Sequence, residues 1–147
     1  MLMRLPMQRT FKLPGDQYYM PRDARAIEHE TAFVRSFIIR ERRERWLSQL
    51  VLPKKRGRLL DRLNHRFYKD LDARFVTASI PYVLGHDSNE CYVIASEDKY
   101  DGRFVSASEV ADVLSVAYFG IVVSIIPGKL ACYKDEAPAD VIWMQRD

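Results

Sequence analysis

Apolar residues recur at helical spacing through the first third of the chain. From Asp23, a residue able to cap a helix, neither proline nor glycine interrupts the sequence until Pro53. Ala26, Phe33, Phe37, Leu47 and Val51 fall near one side of a helix. Ile27, Val34 and Ile38 widen that side at its start, and Trp46 and Leu50 shift it at its end. The spacing predicts one helix over about 23–51 whose drifting apolar face meets two different neighbours. Its middle, "RERRER" (40–45), points arginines in nearly every direction and reads as solvated, with Glu41 and Arg45 ordered for an i,i+4 pair.

Pro53 disfavours helical geometry at Leu52 and suits the first turn of a new helix, which is expected over about 53–66. Gly57 costs that helix roughly 1 kcal/mol relative to alanine. The two helices form a hairpin or a bent pair.

Beyond residue 68 the apolar runs shorten. "FVTASIPYVLG" holds one strand, which Pro81 restricts to a sheet edge or splits in two, and "GHDSNE" is a loop. "CYVIAS" (91–96) is a buried strand. "EDKYDGR" is a turn. In "SASEVADVLSVAYFG", Ser106 and Glu109 have capping-box spacing. Val110, Val113, Leu114 and Ala117 form the apolar stripe of that helix, and Gly120 stands where a C-cap belongs. "IVVSII" (121–126) and "KLACYK" (129–134) are strands joined by a type II turn at Pro127-Gly128, and "VIWMQ" (141–145) is the last strand.

The order predicts an α+β domain in which an N-terminal helical pair packs with a mixed sheet. Within the sheet, residues 91–126 make a strand–helix–strand crossover, most simply right-handed and parallel, and residues 121–145 make an antiparallel meander. The chain is expected to be a single domain over 1–147. Residues 1–21 form an extended arm, because Pro6, Pro14 and Pro21 oppose a helix there.

Composition agrees with a globular chain: 48% of residues are apolar and 29% charged, enough for a core without staples. Cys91 and Cys132 are too few for a disulfide framework and read as buried apolar residues in a reducing compartment. The most apolar run (113–126) is shorter than the ~18 residues of a membrane span, and the N-terminal stretch lacks a signal-peptide apolar region. A cytoplasmic protein is the expectation.

Charge changes this picture more than composition does. Residues 1–74 hold 18 Lys/Arg against 9 Asp/Glu (+9), and residues 75–147 hold 5 against 11 (−6). The basic half peaks in "KKRGRLLDRLNHRF" (54–67). On a helix, Lys55, Arg58, Arg62 and Arg66 fall within about 80° of one another, opposite Leu59, Leu60, Leu63 and Phe67. Burial of the leucines requires a wet opposite face, but it does not require that face to be all basic. These four cations are the candidate anion- and partner-binding residues. Their counter-anion is an acidic protein partner, a nucleic-acid phosphate backbone, an anionic membrane surface, or the chain's own carboxylates. In the last case Arg58 or Arg62 pairs with Asp101, Asp112 or Glu136, within the fold or across a homodimer.

Catalytic and metal signals are sparse. His29, His65 and His86 lie at no ligand spacing, and in "EHET" Phe33 occupies the place of the second histidine of HExxH. No CxxC pair, phosphate loop or calcium loop occurs, so neither metal nor cofactor is expected. Glu97-Asp98-Lys99 resembles the Glu-x-Lys element of PD-(D/E)xK metal-dependent nucleases. Such a site needs a second acid close by, and Asp87 precedes a strand roughly 20 Å long that Glu97 follows. Turn residues are the simpler reading of this segment. The sequence therefore points to a non-enzymatic binding or regulatory protein. It works through a protein–protein interface, with Trp46 or Trp143 as apolar anchors, or alternatively through nucleic-acid phosphate on the 54–66 helix.

Overall fold

The computed structural model describes residues 11–13, 17–19, 23–63, 69–77, 90–136 and 140–147. Strands β1 (Phe11–Leu13) and β2 (Gln17–Tyr19) pair antiparallel as a small separate sheet. Then come helices α1 (Ala24–Phe37), α2 (Arg43–Leu50) and α3 (Pro53–Asp61). A six-stranded sheet follows, built from β3 (Val76–Thr77), β4 (Glu90–Ala95), β5 (Phe104–Ser106), β6 (Ile121–Ile126), β7 (Leu130–Lys134) and β8 (Val141–Gln145). Helix α4 (Val110–Val116) lies between β5 and β6 in sequence. The fold is α+β.

Helix α1 starts where Asp23 Oδ1 accepts the Ala26 N–H at 2.8 Å. Its buried residues, Ala26, His29, Glu30, Phe33, Val34 and Phe37, repeat every three or four positions. The single helix expected over 23–51 is broken after Phe37 without help from glycine or proline. The cause is tertiary. Residues 70–72 run alongside, so Ile39 N–H donates to Asp70 O at 2.7 Å, Asp72 N–H donates to Phe37 O at 2.7 Å, and Ile38 bridges Leu71. Arg43 Nε takes the Ile38 carbonyl at 2.9 Å. A 3₁₀ turn over Arg40–Arg42 then leads into α2, so the drifting apolar face belongs to two helices. Glu41 lies in that turn, and the expected Glu41–Arg45 pair is not among the ion pairs of the described residues.

Leu52 is extended (φ −106°, ψ 111°) and Pro53 opens α3, as the proline requires. The expected helix over 53–66 stops at Asp61. Arg62 caps it, with its N–H shared between the Leu59 and Leu60 carbonyls, and the Arg62 carbonyl is met by Asp70 N–H at 3.4 Å. Residues 64–68, with Arg66 among them, lie outside the described residues.

The sheet order is β3-β8-β7-β6-β4-β5, and every pairing is antiparallel. The expected mixed sheet is therefore corrected to an antiparallel one, in which β4 and β6 run in opposite directions. Segment 91–126 contains an extra strand, β5, within "GRFVSASE", where a helix start hid it. β5 and β6 flank β4 and both run against it, so they share a direction and α4 links them across β4. The β6-β7-β8 meander stands as expected. Gly128 has φ +74° and Lys129 N–H reaches Ile126 O at 2.9 Å, as a type II turn demands.

Strand alternation sends side chains to two cores. Tyr92, Ile94, Val122, Ala131, Tyr133 and Met144 face α1, α2 and α3. Cys91, Val93, Ala95, Ile121, Val123, Ile125, Leu130, Cys132 and Trp143 face the Ala107–Leu114 side. Each large aliphatic side chain so buried contributes about 1.5–3 kcal/mol. Both cysteines are buried thiols outside any disulfide, and burial pushes the Cys132 thiol up to about 12. They sit on β4 and β7, with β6 between them. Within the first core His29 Nδ1 meets Ser124 Oγ at 2.7 Å, so this buried imidazole has a polar partner.

Gly120 does not cap α4 in the left-handed region, since the helix ends at Val116 and the cap, Ala117, is extended. A Cβ on Gly120 would lie 3.3 Å from Leu60 Cβ, so this glycine instead lets the strand end approach α3. The Ser106–Glu109 capping box is present, and the Glu109 carboxylate accepts the Ser106 N–H at 2.9 Å.

Candidate functional site

The α2–α3 hairpin turns through Leu50–Leu52, where Leu52 N–H bonds Gln49 O at 3.0 Å and Lys55 N–H bonds Leu52 O at 2.9 Å. In α3, Arg56, Leu59 and Leu60 are buried, as is Leu63 just beyond, at spacings of three and four. This phase sets Lys55, Arg58 and Arg62 on other sides of the helix, toward α2. Together with Arg45 and Gln49 of α2, and with Asp61, they line a cleft of about 320 Å³.

Arg56 fastens this hairpin to the rest of the fold. It is 1% exposed, and all five of its N–H donors are used. Nε and Nη2 grip Asp101 Oδ2 and Oδ1 at 2.8 and 2.9 Å. Nη1 donates to Glu30 Oε2 at 2.7 Å and to the Leu50 carbonyl at 2.9 Å, and Nη2 donates to Tyr92 Oη at 3.2 Å. Tyr92 O–H in turn donates to Glu30 Oε2 at 2.5 Å. Burial opposes the Arg56 charge, but the Asp101 and Tyr92 contacts outweigh it and hold its pKa above the usual value.

Asp70 is a second fastener. It is 2% exposed, and its Oδ2 accepts Trp46 Nε1–H at 3.0 Å and Arg62 Nε–H at 2.9 Å. Arg42 Nε lies 3.7 Å from Oδ1.

The four sequence candidates therefore separate. Arg62 lines the cleft but is anchored on Asp70. Lys55 and Arg58 line it and make no ion pair among the described residues. Arg66 lies outside the described residues. Internal pairing does occur, with other partners than expected: Asp101 takes Arg56, and Asp70 takes Arg62. Asp61, which lines the cleft, has its carboxyl pushed up by burial and by the nearby Asp135.

Neither Arg45 nor Gln49 carries a signal in the sequence, since the arginines of "RERRER" (40–45) spread around a helix without marking one face and Gln49 is a lone polar residue beyond them. Only the break after Phe37 and the turn at Pro53 bring Arg45 opposite Lys55 and Arg58. Arg56 is not among the four sequence candidates, although a signal for it exists: it precedes Leu59 and Leu60 by three and four residues and so shares their buried side. Trp46 is 0% exposed and Trp143 5%, so neither is a surface anchor.

Glu97 is engaged as a clamp. Its Oε1 accepts the N–H groups of Tyr118 at 2.8 Å and Phe119 at 3.3 Å. Asp101 is taken by Arg56 and by Ala95 N–H at 2.9 Å, and Gly102 sits at φ +77°, so this segment serves as a turn. Asp87 lies outside the described residues. Among the described residues no group of three or more His, Cys, Asp or Glu is placed to hold a metal ion, and no helix is long and apolar enough to cross a membrane.

The chain matches no family model, and no curated protein or solved structure shows significant similarity to it.

Proposed function

We propose that this chain is a non-enzymatic binding protein that holds an acidic segment of a protein partner in the cleft between α2 and α3. One observation carries the reading. Arg45, Lys55 and Arg58 converge on one concavity with no carboxylate paired to them among the described residues, while Arg56 has all five donors used and Arg62 is ion-paired to Asp70. Three cations around one cleft repel each other, and an anionic group relieves that repulsion. Among the described residues no aromatic ring lines the cleft, so those residues offer no platform for stacking bases. Exposed Val116, Tyr118 and Phe119 supply apolar surface of the kind protein interfaces use.

Nucleic-acid phosphate is the second reading, favoured by two arginines able to fork onto phosphate oxygens. Fluorescence anisotropy separates the two, with a labelled poly-glutamate peptide and a labelled single-stranded oligonucleotide titrated in parallel. The expected result is saturable peptide binding that is lost when Arg45, Lys55 and Arg58 are all changed to Gln. Tighter binding of the oligonucleotide, lost in the same variant, transfers the cleft to nucleic acid. Absence of both, or binding indifferent to the triple substitution, overturns the reading.

A further inference from the structure

A second concavity lies on the opposite face of the sheet. Helix α4 is two turns long and leaves the sheet open toward β8. Between them runs a groove of about 340 Å³, within the size range of small-molecule sites. Its walls are Val110 and Leu114 on one side and Val141 and Trp143 on the other, with Ser115 and Lys134 as polar groups.

Lys134 is the unusual member. It is 8% exposed, at the end of β7, where the strand's alternation sends its side chain into the second core. Its Nζ donates to Leu114 O at 2.9 Å and Ala117 O at 3.3 Å, the free carbonyls at the end of α4. Among the described residues it has no carboxylate partner. An ammonium carries three donors, and the two carbonyls use two of them. A buried cation answered only by neutral dipoles is expensive, and an anion is what completes it.

We propose that this groove binds a small aliphatic carboxylic acid. Its chain lies between Leu114 and Trp143, and its carboxylate accepts the remaining Lys134 N–H. The apolar walls select the chain, and the ammonium selects the acid over uncharged molecules of the same length. The site is separate from the α2–α3 cleft and stands or falls independently of it.

Calorimetric titration with octanoate and with octanol tests this on the unmodified chain, with the Trp143 indole N–H signal followed by NMR. The expected result is saturable octanoate binding that shifts the Trp143 signal, about tenfold or more tighter than octanol, because the alcohol's hydroxyl meets the ammonium only as a neutral acceptor and the attraction between opposite charges is lost. Lys134→Met is expected to abolish that preference, and Leu114→Trp, which fills the groove, to abolish binding of both. If Lys134→Met does not fold, the acid–alcohol comparison decides alone. Equal affinity for the two probes, no saturable octanoate binding, or unchanged binding in Leu114→Trp overturns the proposal.

Discussion

Arg56 of α3 and Asp101 of the turn after β4 form a two-pronged ion pair, Nε to Oδ2 at 2.8 Å and Nη2 to Oδ1 at 2.9 Å. It joins the helical hairpin to the sheet, and Asp101 carries it into the strand by accepting Ala95 N–H. Removing one partner of a buried pair leaves the other without its counter-charge, which costs about 3–5 kcal/mol. Arg56→Ala is expected to lose that much in denaturant unfolding. Arg56→Lys is expected to recover only part, because an ammonium cannot reproduce the fork onto Asp101.

Acid should weaken the fold through His29. This imidazole is buried beside Tyr92 and Phe104, and burial first, with Arg25 adding to it, lowers its pKa from 6.5. The folded state therefore prefers the neutral ring. Its contribution to stability is fully present above the unfolded value of 6.5 and is lost as pH falls from there through the folded value. Unfolding free energy measured against pH should fall in this window for the native chain. His29→Gln, which cannot titrate, should show a shallower dependence there.

Two glycines should respond to alanine with opposite signs. Gly57 lies within α3, and an added Cβ meets Ser96 atoms at 3.6 Å, an ordinary contact, so Gly57→Ala should stabilise by roughly 0.5–1 kcal/mol. Gly128 sits at φ +74° with Ser36 Oγ 3.0 Å from the new Cβ, so Gly128→Ala should destabilise by about 1–2 kcal/mol. Thermal unfolding of the two variants checks both.

The cleft arginines should divide by stability as they do by geometry. Arg58→Gln should stay within about 0.5 kcal/mol of the native chain, as surface changes usually do. Arg62→Gln should lose roughly 1–3 kcal/mol, because it takes a charged donor from buried Asp70. Urea midpoints for the pair measure the difference.

Local signals were readable where chain chemistry alone decides them. Pro53 started a helix, Pro127-Gly128 made its turn, and the last three strands kept their alternation. The break at Ile38 was not readable, because it depends on Asp70 and Asp72, about thirty residues away, replacing helical hydrogen bonds. Strand β5 is three residues long and runs directly into the Ser106 cap, so it left no pattern of its own. For the site, the periodicity of α3 exposed Lys55 and Arg58. The ion pair of Arg62 needed the return of the chain at Asp70, and the contribution of Arg45 needed the hairpin.

The central claim is that the α2–α3 cleft is open to an anion at Arg45 and Arg58 while Arg56 and Arg62 are already held. The most direct measurement is the set of arginine Nε–H NMR signals during titration with a poly-glutamate peptide at low and high salt. The account expects the Arg45 and Arg58 signals to shift together and saturably at low salt, to return as salt rises, and those of Arg56 and Arg62 to stay in place. A static Arg58 signal, or shifts spread evenly over the exposed arginines such as Arg35 and Arg40, would contradict it.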